Sequence, residues 1–265
     1  MPVIKTTSLT KVFGKLKAVD RLSLNIEAGE IFGLLGPNGA GKTTTIKMLT
    51  TLLPVSSGKA SIAGYDIQHK PADVRKLVGY VPQLISADGT LTGYENLLIF
   101  AKLYDLPRKE REQRIRSALS FMGLKESAHK MVRHYSGGMM RRLEIAQSIL
   151  HRPPVLFLDE PTVGLDPNAR HMVWEHIQQL RQKYQTTIFL TTHVMEEADE
   201  LCDRVAIMNL GKIAAIGSPA QLKKSIHKQN ATLDDVFIHI TGNLIDNGGN
   251  FRDIARTRRT VRRLG

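Results

Sequence analysis

The chain has 265 residues, 42% of them hydrophobic and 23% charged, which is the balance of a globular protein long enough for one large domain or two small ones. No apolar run approaches the roughly 20 residues needed to cross a bilayer, and a single cysteine, Cys202, excludes an internal disulfide framework. The net charge of +12 favours anionic partners: a nucleotide, a nucleic acid or an acidic lipid surface.

The opening residues Met1-Pro2-Val3-Ile4-Lys5-Thr6 have no signal-peptide core. With the lone cysteine, which reads as a small core residue, this leads us to expect a cytoplasmic protein, able to sit against a membrane. The first 35 residues read as strands. Leu22, Leu24 and Ile26 alternate with polar residues, Ala28-Gly29-Glu30 is a turn, and Ile31 to Leu35 is a buried strand. Next comes Gly36-Pro37-Asn38-Gly39-Ala40-Gly41-Lys42-Thr43-Thr44, the G-x-x-x-x-G-K-[ST] pattern of a phosphate-binding P-loop, and then a helix opening at Thr44. Strands are expected around Ala60 and Ile62 and at Val78–Val81, ending at Pro82-Gln83. From 92 to 150 the spacing turns helical, with Pro107 starting one helix and Ser136 capping another. Strands return at 155–158, at 187–190 and at 205–208, the last in a hairpin through Asn209-Leu210-Gly211-Lys212. The expectation is an α/β domain with a mainly parallel central sheet and an inserted helical block.

Three segments carry chemistry. In the P-loop the glycines turn backbone N–H groups toward phosphate oxygens, Lys42 brings a mobile positive charge, and Thr43 offers a hydroxyl to Mg²⁺. Val155-Leu156-Phe157-Leu158 is followed by Asp159-Glu160 at the carboxyl end of its strand, where open sheets bind ligands. Asp159 is placed to hold Mg²⁺, directly or through water, and Glu160 to polarise a water facing the γ-phosphate. Ser136-Gly137-Gly138 leaves bare amides at a helix N-terminus, a second anion site. A site so far along the chain closes more easily on the P-loop of a second copy. The P-loop alone leaves kinases, GTPases and motors open.

With these segments in order, the sequence resembles the nucleotide-binding subunits of ATP-binding cassette (ABC) transporters over roughly residues 3 to 240. The resemblance implies a P-loop NTPase core, an N-terminal antiparallel β subdomain and a helical subdomain inserted at about 84–150. It makes residues 1–242 the ATPase domain and 243–265 a basic tail. Ser136, Gly137 and Gly138 look like the signature loop that contacts ATP on the partner subunit. Gln83 looks like the glutamine linking the Mg²⁺ site to the membrane subunit. Asp166, closing Val163-Gly164-Leu165-Asp166, matches the D-loop at the dimer interface. His193 matches the switch histidine on the γ-phosphate, and Phe13 the aromatic that stacks on adenine. Lys42, Glu160 and His193 are thus the expected catalytic groups, and Thr43, Gln83 and Asp159 the expected metal set. Tyr94 and Tyr135 read as packing residues. Tyr135-Ser136-Gly137-Gly138-Met139 and the segment Leu233 to Gly242 are similar to the daunorubicin-resistance branch, whose ATPases serve ABC-2 exporters.

This implies ATP and Mg²⁺ as ligands, a homodimer or paired subunit on ATP binding, a separate membrane permease, and a peripheral place on the cytoplasmic face. The alternative is a soluble ABC ATPase acting on nucleic acid or ribosomes, but such proteins typically fuse two cassettes or carry a long coiled coil; no nucleic-acid partner is expected. Asp246-Asn247-Gly248-Gly249-Asn250 reads as a linker. Beyond it Arg252, Arg256, Arg258, Arg259, Arg262 and Arg263 face a single acid, Asp253. As a helix, 251–264 sets Phe251, Ile254, Val261 and Leu264 on one side, suited to acidic lipid; a solvated, disordered tail is the other reading.

Overall fold

The computed structural model describes residues 2–226 and 228–246, so most of the basic tail lies outside the described residues. Two sheets organise the chain. Strands β1 (Ile4–Phe13), β2 (Leu16–Ile26), β4 (Ser57–Ile62) and β5 (Tyr65–Asp66) form an antiparallel sheet in the order β2-β1-β4-β5. Strands β3 (Ile31–Leu35), β6 (Val78–Val81), β7 (Val155–Asp159), β8 (Thr187–Thr192), β9 (Arg204–Asn209) and β10 (Lys212–Gly217) form the central sheet, ordered β10-β9-β3-β8-β7-β6. All its pairings are parallel except β9 with β10, the expected hairpin. Leu210 and Gly211 at its tip both have positive φ, the backbone of a tight two-residue hairpin turn.

Helices fill the connections. They are α1 (Lys42–Leu49), α2 (Pro71–Leu77), α3 (Gly93–Leu103), α4 (Arg108–Phe121), α5 (Gly137–Ile149), α6 (Pro167–Tyr184), α7 (Met195–Leu201), α8 (Pro219–Ser225) and α9 (Leu233–Asp246). Hydrophobic spacing alone leaves α2, α6, α7 and α8 unassigned. Their ends are nonetheless marked: Asp166 caps α6 by accepting from the Ala169 N–H at 2.9 Å, and Ser218 closes a capping box with Gln221 on α8. α9 runs through Gly242 to Asp246, so the composition change after Gly242 falls inside a helix.

Strands β3, β7 and β8 are buried along their whole length, as a parallel sheet covered on both faces requires. Their side chains alternate between two cores. Phe32, Leu34, Phe157 and Phe189 face α1 and the antiparallel sheet, with ring centroids 5.6 Å apart for Phe32–Phe189 and 5.5 Å for Phe157–Phe189. Ile31, Leu35, Leu156, Leu158, Ile188 and Leu190 face the other way, toward α3–α7. Cys202 is buried at the end of α7, as a core residue. Tyr135 is buried too, its hydroxyl donating to the Ser127 carbonyl at 2.6 Å, while the Tyr94 hydroxyl donates to Glu112 on α4.

His151 fastens the helical block to the sheet edge. Its ring stacks on Tyr104, centroids 3.8 Å apart, and its Nε2 donates to the Val78 carbonyl at 3.2 Å. A carbonyl can only accept, so Nε2 carries the proton, and Nδ1 is buried without a partner. Burial, the largest cause, and the nearby Arg114 charge push the imidazole pKa down to about 4. The unfolded chain therefore binds more protons than the folded one between the ordinary histidine value and about 4, and stability is lost as pH falls through that window. His151→Gln should flatten the fall of Tm between pH 7 and pH 4.5 measured by calorimetry, the wild-type penalty reaching roughly 3 kcal/mol at the acid end.

Candidate active site

The loop between β3 and α1 is wedged against its neighbours. A Cβ on Gly36 would stand 2.3 Å from the Met208 carbonyl on β9. At Gly41 φ is +114°, and a Cβ there would meet the Ala18 carbonyl on β2 at 2.3 Å. Only glycine fits both places, and the loop is held in shape before any ligand arrives. Lys42, first residue of α1 and 4% exposed, turns its amine back into the loop. It donates to the Gly36 carbonyl at 2.8 Å and the Pro37 carbonyl at 3.3 Å, and it lies 3.1 Å from Glu160 Oε1.

The next residue reaches the end of β7. The Thr43 hydroxyl donates to Asp159 Oδ1 at 3.1 Å, and the Thr191 hydroxyl from β8 donates to the same oxygen at 2.5 Å. Asp159 Oδ2 is buried without a hydrogen-bond partner. Burial pushes the Asp159 carboxyl pKa up; the two hydroxyls pull against it, Glu160 adds to it, and Lys42 pulls against it. Tyr80 nearby is pushed up to about 12, by burial and then by the Asp159 charge. An orphaned carboxylate oxygen beside a threonine hydroxyl is a pair of hard oxygen donors that suits Mg²⁺. Among the described residues no three His, Cys, Asp or Glu side chains form a cage of their own. Such a pair would leave a cation to draw its remaining ligands from other oxygens, as Mg²⁺ prefers.

Glu160 is where the expected groups meet. Its Oε1 faces Lys42, while its Oε2 accepts from the Gln83 side-chain amide at 3.0 Å and lies 3.2 Å from His193 Nδ1. The carboxylate is nearly inaccessible, but His193 opens to solvent, its side chain 42% exposed. Glu160 takes φ +51°, a conformation that costs a non-glycine residue about 1 kcal/mol or more and persists only when neighbours impose it. Thr191 imposes it, its carbonyl and its hydroxyl both accepting from the Glu160 N–H, at 3.0 and 3.1 Å.

Ser136, Gly137 and Gly138 meet a different part of the chain. The Ser136 hydroxyl accepts from the Met139 N–H and caps α5. A Cβ on Gly138 would lie 2.8 Å from Ala169 Cβ, and one on Gly137 3.4 Å from Leu165 Cδ2. This loop therefore rests on Leu165, just before Asp166, and on the first turn of α6. Phe13 closes the β1–β2 hairpin partly exposed; Lys11 Nζ sits 5.1 Å from its ring centroid while donating to the Pro54 carbonyl at 2.6 Å.

Sequence patterns overlooked several partners. Thr191 is one of a β-branched run and reads only as strand. Arg141 and Glu144 carry no motif of their own in the sequence, yet both are buried, 3.0 Å apart. Arg141 also donates to the Pro82 carbonyl at 2.7 Å and the Gln83 carbonyl at 2.8 Å, and Glu144 accepts from both the backbone N–H and the hydroxyl of Ser86. Helix α5 thereby grips the loop that carries Gln83.

Comparison with known proteins identifies the family. Residues 19–163 match the family described as ABC transporter. The chain is 43% identical over 223 residues to the daunorubicin/doxorubicin resistance ATP-binding protein DrrA of Streptomyces peucetius, covering 84% of this chain and 67% of that one. It is 41% identical over 220 residues to the linearmycin resistance ATP-binding protein LnrL of Bacillus subtilis strain 168, covering 83% and 70%. It is 42% identical over 221 residues to a Nod factor export ATP-binding protein I of Ralstonia nicotianae, covering 83% and 68%. A solved ATP-binding subunit of an ABC transporter superposes with a TM-score of 0.80 at 29% identity, over 90% of this chain and 99% of that one. The cbiO1 protein of Clostridium perfringens, part of the cbiONQ complex, gives 0.78 at 27% identity, over 85% and 92%. With a P-loop lysine, a strand-end carboxylate pair and a histidine gathered at one sheet edge, the chain belongs to the ABC transporter family, as an ATP-binding ATPase subunit coupled to transport.

Proposed function

We propose that the chain hydrolyses ATP as one of a pair of cassettes on the cytoplasmic face of the membrane, powering an ABC-2 exporter through a separate permease. The observation that carries the catalytic part is the convergence of Lys42, Gln83 and His193 on Glu160. Export is supported by the resistance and export functions in the names of similar proteins. Those names give no support to action on nucleic acid or ribosomes. Residues 1–242 form the ATPase domain on this reading, with 84–150 as its helical insert.

ATP phosphates occupy the loop 36–44, and the Lys42 amine exchanges the Gly36 and Pro37 carbonyls for phosphate oxygens. That exchange releases Glu160 from its cation, so the carboxylate can accept a proton from water facing the γ-phosphate. His193 and Gln83, already against Glu160, hold the γ-phosphate and the water. Phe13 stacks on the adenine. Thr43 and Asp159, with Gln83 alongside, would hold Mg²⁺, whose charge would then offset that of the phosphates. The chemistry rests on positioning and charge neutralisation.

The site is completed by a second copy. Capping α5 uses one lone pair of the Ser136 hydroxyl, which leaves its proton to donate to a phosphate across the dimer interface. The Gly138 N–H adds a second donor at the helix N-terminus. Asp166 and its turn lie at the same interface, with Leu165 and Ala169 against Gly137 and Gly138. The permease docks beside Gln83, where Leu84 is 81% exposed, and on α3, where Leu103 is 70% exposed. No helix among the described residues is long and apolar enough to cross a membrane, so the transport pathway belongs to that permease.

Glu160→Gln should cut kcat at least about a hundredfold and trap an ATP-bound dimer on size-exclusion chromatography. Wild-type turnover with a monomeric elution would refute the mechanism. Leu84→Asp with Leu103→Asp should leave the basal ATPase rate of the isolated subunit within about twofold while copurification with the permease is lost, as for a patch used only in docking. For the tail, deleting 251–265 should reduce pelleting with acidic liposomes and spare neutral ones; equal pelleting would remove the lipid role.

A further inference from the structure

Glu197, on α7, is a buried carboxylate that the proposed mechanism does not use. It is 1% exposed, and no arginine or lysine forms an ion pair with it among the described residues. Its Oε1 accepts from the Thr162 hydroxyl at 2.7 Å and from the Trp174 indole N–H at 3.0 Å. The Thr192 hydroxyl faces the same carboxylate, and Oε2 is buried without a hydrogen-bond partner. Burial is the main influence on its acidity and pushes the pKa up, while the neighbouring Thr192, Thr162 and Trp174 side chains and the more distant Arg170 charge pull it back. A buried carboxylate carries a desolvation cost of several kcal/mol, and neutral donors offset it only in part. Packing alone gives no reason to keep one here.

The two donors and the carboxylate come from three segments. Thr162 lies two residues after Glu160, Trp174 stands on α6, and Glu197 follows His193 by four residues on α7. Thr191 already ties this same pair of segments together through Asp159 and the Glu160 N–H. The turn after β7 and the segment after β8 are therefore fastened twice, with His193 between the fasteners. That turn continues through Leu165, which supports Gly137 of the glycine-rich loop.

We propose that Glu197 is a positioning residue: through the Thr162 hydroxyl it holds the 160–166 turn and the His193 segment in one register, so that the turn and the histidine move together. This rests on the reading that Glu160 and His193 serve hydrolysis. When a second copy presses on the turn, the displacement reaches His193 through Thr162 and Glu197, and the histidine closes on the γ-phosphate only as the dimer closes.

The test is steady-state ATPase kinetics of the full chain with Tm measured alongside. Thr162→Val, which keeps the side-chain shape and removes the donor, should lower kcat about tenfold with KM for ATP within about twofold. Glu197→Ala should give a similar loss, and the double variant should be no worse than the deeper single one, because both remove one shared interaction. Glu197→Gln, which keeps an acceptor for Thr162 and Trp174, should return kcat to within about threefold of wild type. Trp174→Phe, which cuts only the α6 contact, should lower Tm and spare kcat. Should Glu197→Ala fail to fold, Thr162→Val carries the test alone. Unchanged kcat in Thr162→Val, additive losses in the double variant, or an equal kcat loss in Trp174→Phe would overturn the proposal. Glu160→Gln run in parallel separates the two failures. If it is inactive while Thr162→Val matches wild type, only the positioning role falls; if it turns over normally, the catalytic reading falls first.

Discussion

A carboxylate held almost out of solvent, with an ammonium, an amide and an imidazole around it, is the point on which this structure turns. Glu160 and Lys42 lie 3.1 Å apart almost out of solvent, each offsetting part of the other's desolvation, and the Gly36 carbonyl receives the same ammonium. On the proposed mechanism, ATP binding exchanges partners within a cradle that these contacts already shape, so little of the loop has to be ordered at that moment.

The sheet makes that convergence inexpensive. Parallel strands β3, β7 and β8 end at one edge, and their registers bring Leu35 beside Thr192 and Asp159 beside Thr191. The loop 36–44, the Asp159-Glu160 pair and His193 leave from adjacent strands and meet without long excursions. Burial of both faces fixes the register, since a slip of one residue would exchange the two cores and turn the aromatic layer toward the helices. Precision at the edge is thus inherited from alternation in the middle.

Much of this was legible in the sequence. Gly36 to Thr44 names its ligand because few glycines, one lysine and one hydroxyl at that spacing serve any other purpose, and Asp159-Glu160 is marked by the four apolar residues before it. Ser136 announced a helix start and is one. What escaped were residues whose type is common in their element. Thr191 belongs to a strand-forming run, and its hydroxyl matters only because β7 lies alongside. Arg141, Glu144 and Glu197 look like the polar faces of helices, and their burial depends on neighbours far along the chain. The helices α6 and α7 were hidden behind mixed polar composition, although Asp166 before Pro167 is a start signal in its own right. Helix α9 runs past Gly242 because a glycine near the end of a helix costs only about 1 kcal/mol, which packing of the preceding turns can offset.

The grip of Arg141 on the Gln83 loop is made through main-chain carbonyls, those of Pro82 and Gln83. A clamp on backbone does not depend on the side chains next to it. Leu84 and Ile85 can therefore change identity over generations while the loop stays attached to α5. With the permease docked as proposed beside Gln83, an ATPase built this way could be re-matched to a different membrane partner by altering a few exposed positions, with its engine left untouched.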